Sequence, residues 1–595
     1  MPAIRDLPLA ASLLLVGVAL FFGGGAADGS LPWLGGGALV VLVPLLFFRG
    51  VPRGWRSIVP LAVLAGWLAI TIEWSSLPDR SWDYADRALV YALFAALGLW
   101  LAGRTRALAL GLAALLGAVA VWSLAGKVFP VLYDYGPPGV ARLRAPVGLW
   151  NQLALLGDFA LPLGLWRRRL SGTLLAYGWI VALLLTYSRG GLAVAVIVVA
   201  AWLVWTDERL ESAVTLVAAA VPAAVVVGVA FLLPGVTSDG RSIGTRWHDG
   251  LIFGAVLVAG AVAAGALERL RRPRITPARR RALLSLVGLA LVAAIVVGAL
   301  KAGSFTSSSQ VANSKGRFTQ GGSNFRWVWW QQAWEGWQPN RIQGTGAGTF
   351  KLTNLQHRTS YLDTTIEPHD LPLQFLSEAG IVGLALLALG CASLLRLPWR
   401  RRGHELALAL VLPAYLLHSL VDVDWDFLAV SAPAFLVAGA LAGGAAVRRV
   451  SPFAVLAAAG AAALAFGALL LPWLGNRWAD DALGAPPAQA VRLANRAESV
   501  DRLLVEPLWA KAGAAIQRGR PQQAFDYYAA AVSRQPKNPQ TWLSAGEYAY
   551  SNDCYHLAYT YLERYTELDP YALPSEGGDD YNRARNLIDA GVGKC

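Results

Sequence analysis

Apolar segments of membrane-crossing character recur along the first 475 residues, and this recurrence limits the possible folds more than any motif does. They run at roughly 9–22, 31–48, 57–74, 88–102, 107–125, 147–166, 173–187, 190–205, 213–234, 250–267, 282–300, 379–397, 405–420, 427–446 and 452–474. Backbone groups inside hydrocarbon must find partners within their own segment, so each segment is read as a helix. An upright span needs about 20 apolar residues, and several of these are shorter. The expected fold is therefore all-α, a polytopic membrane helix bundle of about 14 spans, with tilt accommodating some of the differences in length. The segment 9–22 follows Arg5 and has other spans close behind it, which marks a first membrane helix rather than a cleaved leader.

Composition agrees and removes other classes. Apolar residues make up 56% of the chain and charged residues 15%, against about 25% charged in soluble proteins. The net charge of +13 would suit nucleic acid in a soluble domain. Here, however, the arginines stand in short clusters between apolar runs, which is a topology signal, and no nucleic acid partner is expected. One alternate set of loops holds Arg49, Arg53 and Arg56, Arg104 and Arg106, Arg167 to Arg169, Arg269 to Arg281, Arg396 to Arg402, and Arg448 with Arg449. The other set is acidic or mixed, with Asp28, with Glu73, Asp79, Asp83 and Asp86, with Asp239 and Asp249, and with Asp422, Asp424 and Asp426. The basic set is expected in the cytoplasm. That places the loop 301–378 and the C-terminal region outside the cytoplasmic membrane.

Two domains are expected, a membrane domain over 1–475 and a helical repeat domain over 476–595. In the second, charge and amide content rise and the long apolar runs stop. Ala490, Ala524 and Ala558 are spaced by 34 residues, as are Pro536 and Pro570. Trp509 and Gly513 recur as Trp542 and Gly546, one residue short of that period. This pattern resembles the tetratricopeptide repeat, in which small residues let paired helices cross closely and a proline ends the second helix. Such repeats commonly form a concave surface for a protein partner, the alternative being a cap on the membrane domain. Cys391 lies in an apolar run, and a Cys554–Cys595 disulfide is open if that region is extracytoplasmic.

The loop between late spans carries most of the polar chemistry. A loop this long and this rich in tryptophan and glycine is expected to bind something. Arg326 begins an aromatic run in which Trp327, Trp330, Trp334 and Trp337 fall at roughly helical spacing. The run suits a helix anchored in the headgroup layer, and tryptophan faces also stack on sugars. Gly344, Gly346 and Gly348 form a turn whose amides can approach a ligand; with no preceding strand it is not a dinucleotide fingerprint. His369, followed by Asp370, is a candidate general base or phosphate donor, or else structural. Away from the loop, Arg189 in Tyr187-Ser188-Arg189-Gly190-Gly191 sits in a tight outer hairpin. It is either a snorkelling arginine at a helix end or a bidentate phosphate clamp. Asn151, Gln152 and Asp158 are polar groups within an apolar segment, functional or bonded between helices. No metal or cofactor is expected. Asp422, Asp424 and Asp426 are the nearest approach to a cation cluster, and acidic outer loops usually face solvent.

Four stretches together resemble the O-antigen ligase/polymerase superfamily: APVGLWNQLALLGDFALPL (145–163), LTYSRGG (185–191), FRWVWWQQAW (325–334) with GTGAGTF (344–350), and PHDLPLQFLSEAGIVG (368–383). The resemblance implies a membrane glycosyltransferase using a glycan donor carried on a polyprenyl diphosphate; single displacement would make it inverting, and with no clustered metal ligands it is expected to be metal-independent. It implies that Arg189 and Arg326 contact the diphosphate and that His369 is catalytic. Asn151, Gly346 and Trp330 are expected to line the substrate site. The acceptor is a lipid, a glycan or a protein; ligation ranks ahead of polymerisation and protein glycosylation, and a transporter or scaffold is the alternative of another class.

Overall fold

The computed structural model describes residues 3–26, 28–133, 139–269, 322–448, 451–572 and 578–592, with isolated positions 282, 285, 288, 289, 292 and 314. Most of the expected span 282–300, the loop positions 301–321 apart from 314, the basic stretch 270–281, and Cys595 lie outside the described residues. Among the described residues the chain is helical except for a short antiparallel ribbon pairing Val51–Arg53 with Gly444–Arg448. Eight helices among the described residues are long and apolar enough to cross a membrane, and four further apolar helices there are shorter.

Helices α1 (Ala3–Phe21), α2 (Leu31–Arg49), α3 (Val59–Ile70), α4 (Pro78–Trp100), α5 (Thr105–Val128) and α6 (Trp150–Arg167) form the first part of the bundle. Helices α7 (Arg169–Thr186), α8 (Arg189–Trp205), α9 (Arg209–Leu232) and α10 (Ile243–Arg269) complete it before the loop. After the loop come α11 (Leu371–Leu394), α12 (Val411–His418), α13 (Leu428–Ala442) and α14 (Pro452–Leu483). The centre is α6 and α13, whose residues are almost all buried. Helix α13 crosses α4 at glycines. A Cβ on Gly439 would lie 2.0 Å from the Ala95 carbonyl oxygen, and one on Gly98 would lie 2.1 Å from that of Leu436. Small residues let the two backbones touch where no hydrophobic force separates helix from lipid.

The two ends of the bundle differ. Arg104 pairs with Asp6, Arg168 with Glu208 and Arg402 with Asp207 at the end that also carries the ribbon. The opposite end gathers the acidic turns and the loop, where Asp28 accepts from both Arg80 and Arg87. Helix α14 runs unbroken through position 475 into the C-terminal region, so the expected domain boundary lies within one helix. Beyond it, α15 (Pro487–Val500), α16 (Glu506–Gln517), α17 (Pro521–Arg534), α18 (Pro539–Ser551), α19 (Tyr555–Leu568) and α20 (Gly578–Asp589) pack each against the next. Gly546 fits this packing, since a Cβ there would lie 2.6 Å from Leu562.

Candidate active site

The loop segment that the structure describes begins with two residues of left-handed backbone, Asn324 and Phe325, at φ 52° and 64°. They turn the chain into helix α21 (Arg326–Trp337), so that Arg326 stands at its N-terminus. Gln332, Ala333 and Gly336 form its buried face, and Trp327 and Trp334 are exposed. His369 also has left-handed backbone, at φ 56°. A non-glycine residue held there is strained, and such residues concentrate at functional sites. Immediately after it Asp370 caps α11, its carboxylate accepting from the Leu373 amide at 2.8 Å. Arg189 opens α8, behind a Ser188 cap that accepts from the Gly191 amide at 3.2 Å.

Asp422 joins these pieces. It lies in the turn between α12 and α13, with its side chain 3% exposed. Arg326 Nη2 donates to its Oδ2 at 2.8 Å, and the Val423 amide donates to its Oδ1 at 3.0 Å. His369 Nδ1 lies 3.4 Å from Oδ1, an ion-pair separation rather than a hydrogen bond. The His369 ring stacks on Trp329, with centroids 5.1 Å apart and planes 21° apart. Burial works to raise the Asp422 carboxyl, but the Arg326 guanidinium, helped by His369, overrides it and holds the group far below the usual carboxylate range. Arg189 donates to the Gly322 carbonyl at 2.6 Å and lies close enough to Arg326 for the two guanidiniums to repel. Two mutually repelling cations beside an imidazole form a place where an anion with several charges is welcome.

A second histidine lies beneath. His418, fully buried at the end of α12, donates from Nδ1 to Asp424 Oδ2 at 2.7 Å. Its Nε2 is buried without a hydrogen bond among the described residues and faces Gly190, where an added Cβ would lie 3.9 Å away. Gln152 Nε2 donates to Asp424 Oδ1 at 3.1 Å and lies 3.5 Å from Asp422 Oδ1, linking the two carboxylates. Asp158, one helical turn deeper on α6 than Ala154, is fully buried with neither oxygen bonded among the described residues. Composition hid His418 inside an apolar segment. The signal that points to it is a histidine placed four residues before the first carboxylate of Asp422-Val423-Asp424-Trp425-Asp426.

The three aspartates considered as a cation cluster each take their own main partners, with Gln152 shared between Asp422 and Asp424. Asp422 takes Arg326 and His369, and Asp424 takes His418, Gln152 and Ser419. Asp426 lies 2.9 Å from the Tyr84 hydroxyl, and its carbonyl accepts from Arg87 at 2.5 Å. Trp425 separates them by entering the core, packed edge-on against Tyr91 and Phe375. On the Asp426 side, Tyr84 donates to Glu367 Oε1 at 2.5 Å. Burial first, then Asp426 and Glu378, push the Glu367 carboxyl well above its ordinary range.

The three other expected substrate contacts have protein partners of their own. The Gly346 amide donates to the Glu378 carbonyl at 2.9 Å, and a Cβ there would lie 2.3 Å from Ser75 Oγ. The neighbouring Gly348 and Phe350 amides both donate to the Glu378 carboxylate at 2.9 Å. The glycine turn thus fastens the loop to α11 and to the start of α4, and its amides already have protein partners. Trp330 packs near Trp327, while its neighbour Trp329 is the one on His369. Asn151 Oδ1 accepts from Arg142 Nη2 at 3.2 Å, and Arg142 covers the Trp150 ring at 4.0 Å.

Helices of membrane-crossing length, with an arginine and a histidine meeting a buried aspartate at one end, define a multi-pass membrane protein with a polar site at its rim. Residues 249–388 match the family model described as O-Antigen ligase. The matched stretch contains Arg326 and His369, and stops short of Arg189, Asp422 and His418, which the fold brings to the same place. The match supports glycan transfer of the O-antigen ligase or polymerase kind. No curated protein is significantly similar to the chain.

Proposed function

We propose that this protein transfers a glycan from a polyprenyl-diphosphate donor to an acceptor at the outer face of the cytoplasmic membrane. The observation that carries this is the meeting of Arg326 and His369 on Asp422, with Arg189 beside Arg326, from segments far apart in sequence. The donor diphosphate lies against Arg189 and Arg326, whose charge stabilises the leaving group as its bond to the anomeric carbon breaks. The acceptor oxygen attacks that carbon from the opposite side, so configuration inverts. The acceptor proton passes to His369, which Asp422 and Trp329 hold in place. The leaving diphosphate keeps the bonding electron pair, and its charge is met by guanidiniums rather than by a metal ion.

The end of the bundle that carries the site is, in this reading, extracytoplasmic, and the arginine-paired end is cytoplasmic. The bundle has about 14 spans, and residues 476–595 are tetratricopeptide-like repeats beyond the membrane that can engage a protein partner. Ligation to a lipid or surface glycan ranks ahead of polymerisation of repeat units and of transfer to protein.

One experiment tests the reaction and another the sidedness. Purified protein incubated with a polyprenyl-diphosphate oligosaccharide and lipid, glycan or peptide acceptors is expected to yield a glycosylated acceptor and free polyprenyl diphosphate. A donor left intact with every acceptor class points instead to a transporter or scaffold. In spheroplasts, Lys351→Cys and Gln522→Cys should react with an impermeant thiol reagent and Arg402→Cys should not. The reverse pattern removes the outer-face mechanism.

A further inference from the structure

The C-terminal helices reach the loop through a buried ion pair. Arg358 follows the short loop helix α22 (Phe350–His357), and Asp569 ends α19, 211 residues later. Arg358 Nη2 donates to both Asp569 oxygens, at 2.6 and 2.7 Å, and its Nε donates to Oδ1 at 3.0 Å. Both side chains are 5% exposed. A second tie joins the C-terminal helices to the start of α4, where Gln535 Nε2 donates to Asp79 Oδ1 at 2.7 Å. A planar fork on a carboxylate fixes orientation as well as distance, which a solvated surface pair does not.

From Arg358, contacts lead towards His369 by two routes, one through its guanidinium and one from Asn354, whose carbonyl accepts from the Arg358 amide at 2.7 Å. Arg358 Nη1 donates to Thr364 Oγ1 at 2.5 Å, while the adjacent Asp363 carboxylate accepts from the amide and hydroxyl of Thr359, each at 3.3 Å. The Asp363 carbonyl accepts from Trp329 Nε1 at 2.6 Å, and the Trp329 ring is the surface on which His369 stacks. By the other route, Asn354 Oδ1 accepts from the Thr365 amide at 3.0 Å. Thr365 Oγ1 then donates to the Glu367 carbonyl at 2.9 Å, just before Pro368 and His369. Between Arg358 and Asp370 the regular structure is a single turn, Tyr361–Asp363. The conformation of this segment, including the left-handed His369, is supported by side-chain contacts from Arg358, Asn354 and Asp363.

We propose that Asp569 is a positioning residue for His369, so that the C-terminal helical region braces the site as well as offering a docking surface; this rests on the reading of His369 as the group that acts on the acceptor. The brace acts through Arg358 on the segment 359–369 and on Trp329. A displaced imidazole slows the chemical step while the arginines, held by α8, α21 and Asp422, still bind donor.

The test uses the full-length protein, with Asp569→Ala, the near-isosteric Asp569→Asn and Arg358→Lys. Turnover of a polyprenyl-diphosphate oligosaccharide is read together with hydrogen exchange over residues 359–370. Asp569→Ala is expected to lower kcat on the order of 10²-fold, as a small misplacement of a reacting group does, with donor KM within about twofold. Arg358→Lys retains charge without the fork and should fall between. Exchange over 359–370 should rise in both alanine and asparagine variants and remain unchanged in α15 to α17. If wild-type protein turns over no lipid-linked glycan yet exchange still rises, the transfer reading fails and the brace stands. Unchanged exchange, or faster exchange with kcat within twofold of wild type, overturns the proposal.

Discussion

Arginine does different work at the two ends of this bundle. At the end with the ribbon, Arg402 pairs with Asp207 at 2.9 Å with side chains 57% and 69% exposed, and Arg168 pairs with Glu208 half in solvent. At the site end, Arg87 is 2% exposed, Arg358 5% and Arg326 13%, and each meets a carboxylate. An exposed pair contributes about 0–1 kcal/mol. Removing one partner of a buried pair costs about 3–5 kcal/mol, because it strands the other charge. At the first end a summed positive charge suffices and individual arginines are replaceable. At the second, each guanidinium has a fixed partner and geometry, as expected where a site must be held ready before substrate arrives.

The sharpest way to break this contrast is at Arg326. Arg326→Ala should lower transfer by on the order of 10²- to 10³-fold, measured as single-turnover rate with a polyprenyl-diphosphate glycan, since a donor aimed at developing charge is lost. Arg326→Lys should recover only part, because a point charge replaces the fork. A fully active lysine variant would make the two ends alike.

Asp422→Asn comes next. It leaves Arg326 and His369 without their shared carboxylate, so transfer should drop by about 10²-fold and the melting temperature should fall. The pH dependence has a defined sign. Burial opposes ionisation of Asp422, but Arg326 and His369 depress the folded pKa well below its unfolded value, near ~3.9. Its stabilisation is therefore present above that unfolded value and is lost only as pH falls towards the much lower folded one. Thermal unfolding of wild type minus Asp422→Asn should give a constant difference from about pH 5 to 7. A difference that collapses within that range would show that Asp422 is not held by Arg326. The smallest effect is expected at the other end, where Arg402→Ala should change stability by less than about 1 kcal/mol and leave transfer within twofold. A loss as large as that of Arg326→Ala would remove the distinction.

Much of the helical layout was legible in the chain, because crossing a bilayer imposes a run of apolar residues that any window detects. The helix at Arg326–Trp337 was legible from its tryptophan spacing, but its rotation was not. Trp329 and Trp330 are neighbours about 100° apart on the helix, and only packing decides that Trp329 faces His369. The glycine turn was read as open to a ligand, since glycine permits close approach without saying to what. Here the approach is to Ser75 and to Glu378, residues on other helices. Asp422, Asp424 and Asp426 looked like one acidic cluster because they alternate in sequence. Trp425 entering the core sends them to different partners.

By itself the sequence determined the helical class, the alternation of basic and acidic turns, and the prominence of Arg189, Arg326 and His369 as polar residues among apolar ones. These are local properties, written in composition, period and charge over windows of about 20 residues. The tertiary structure alone decided that Arg326 meets Asp422 across 96 positions, that His418 lies behind the same turn, and that Asp569 reaches Arg358 across 211. Such pairings depend on which helices cross, and helix crossing follows from shape complementarity at contacts such as Gly98 against Leu436 and Gly439 against Ala95. No window along the chain contains both sides of such a contact.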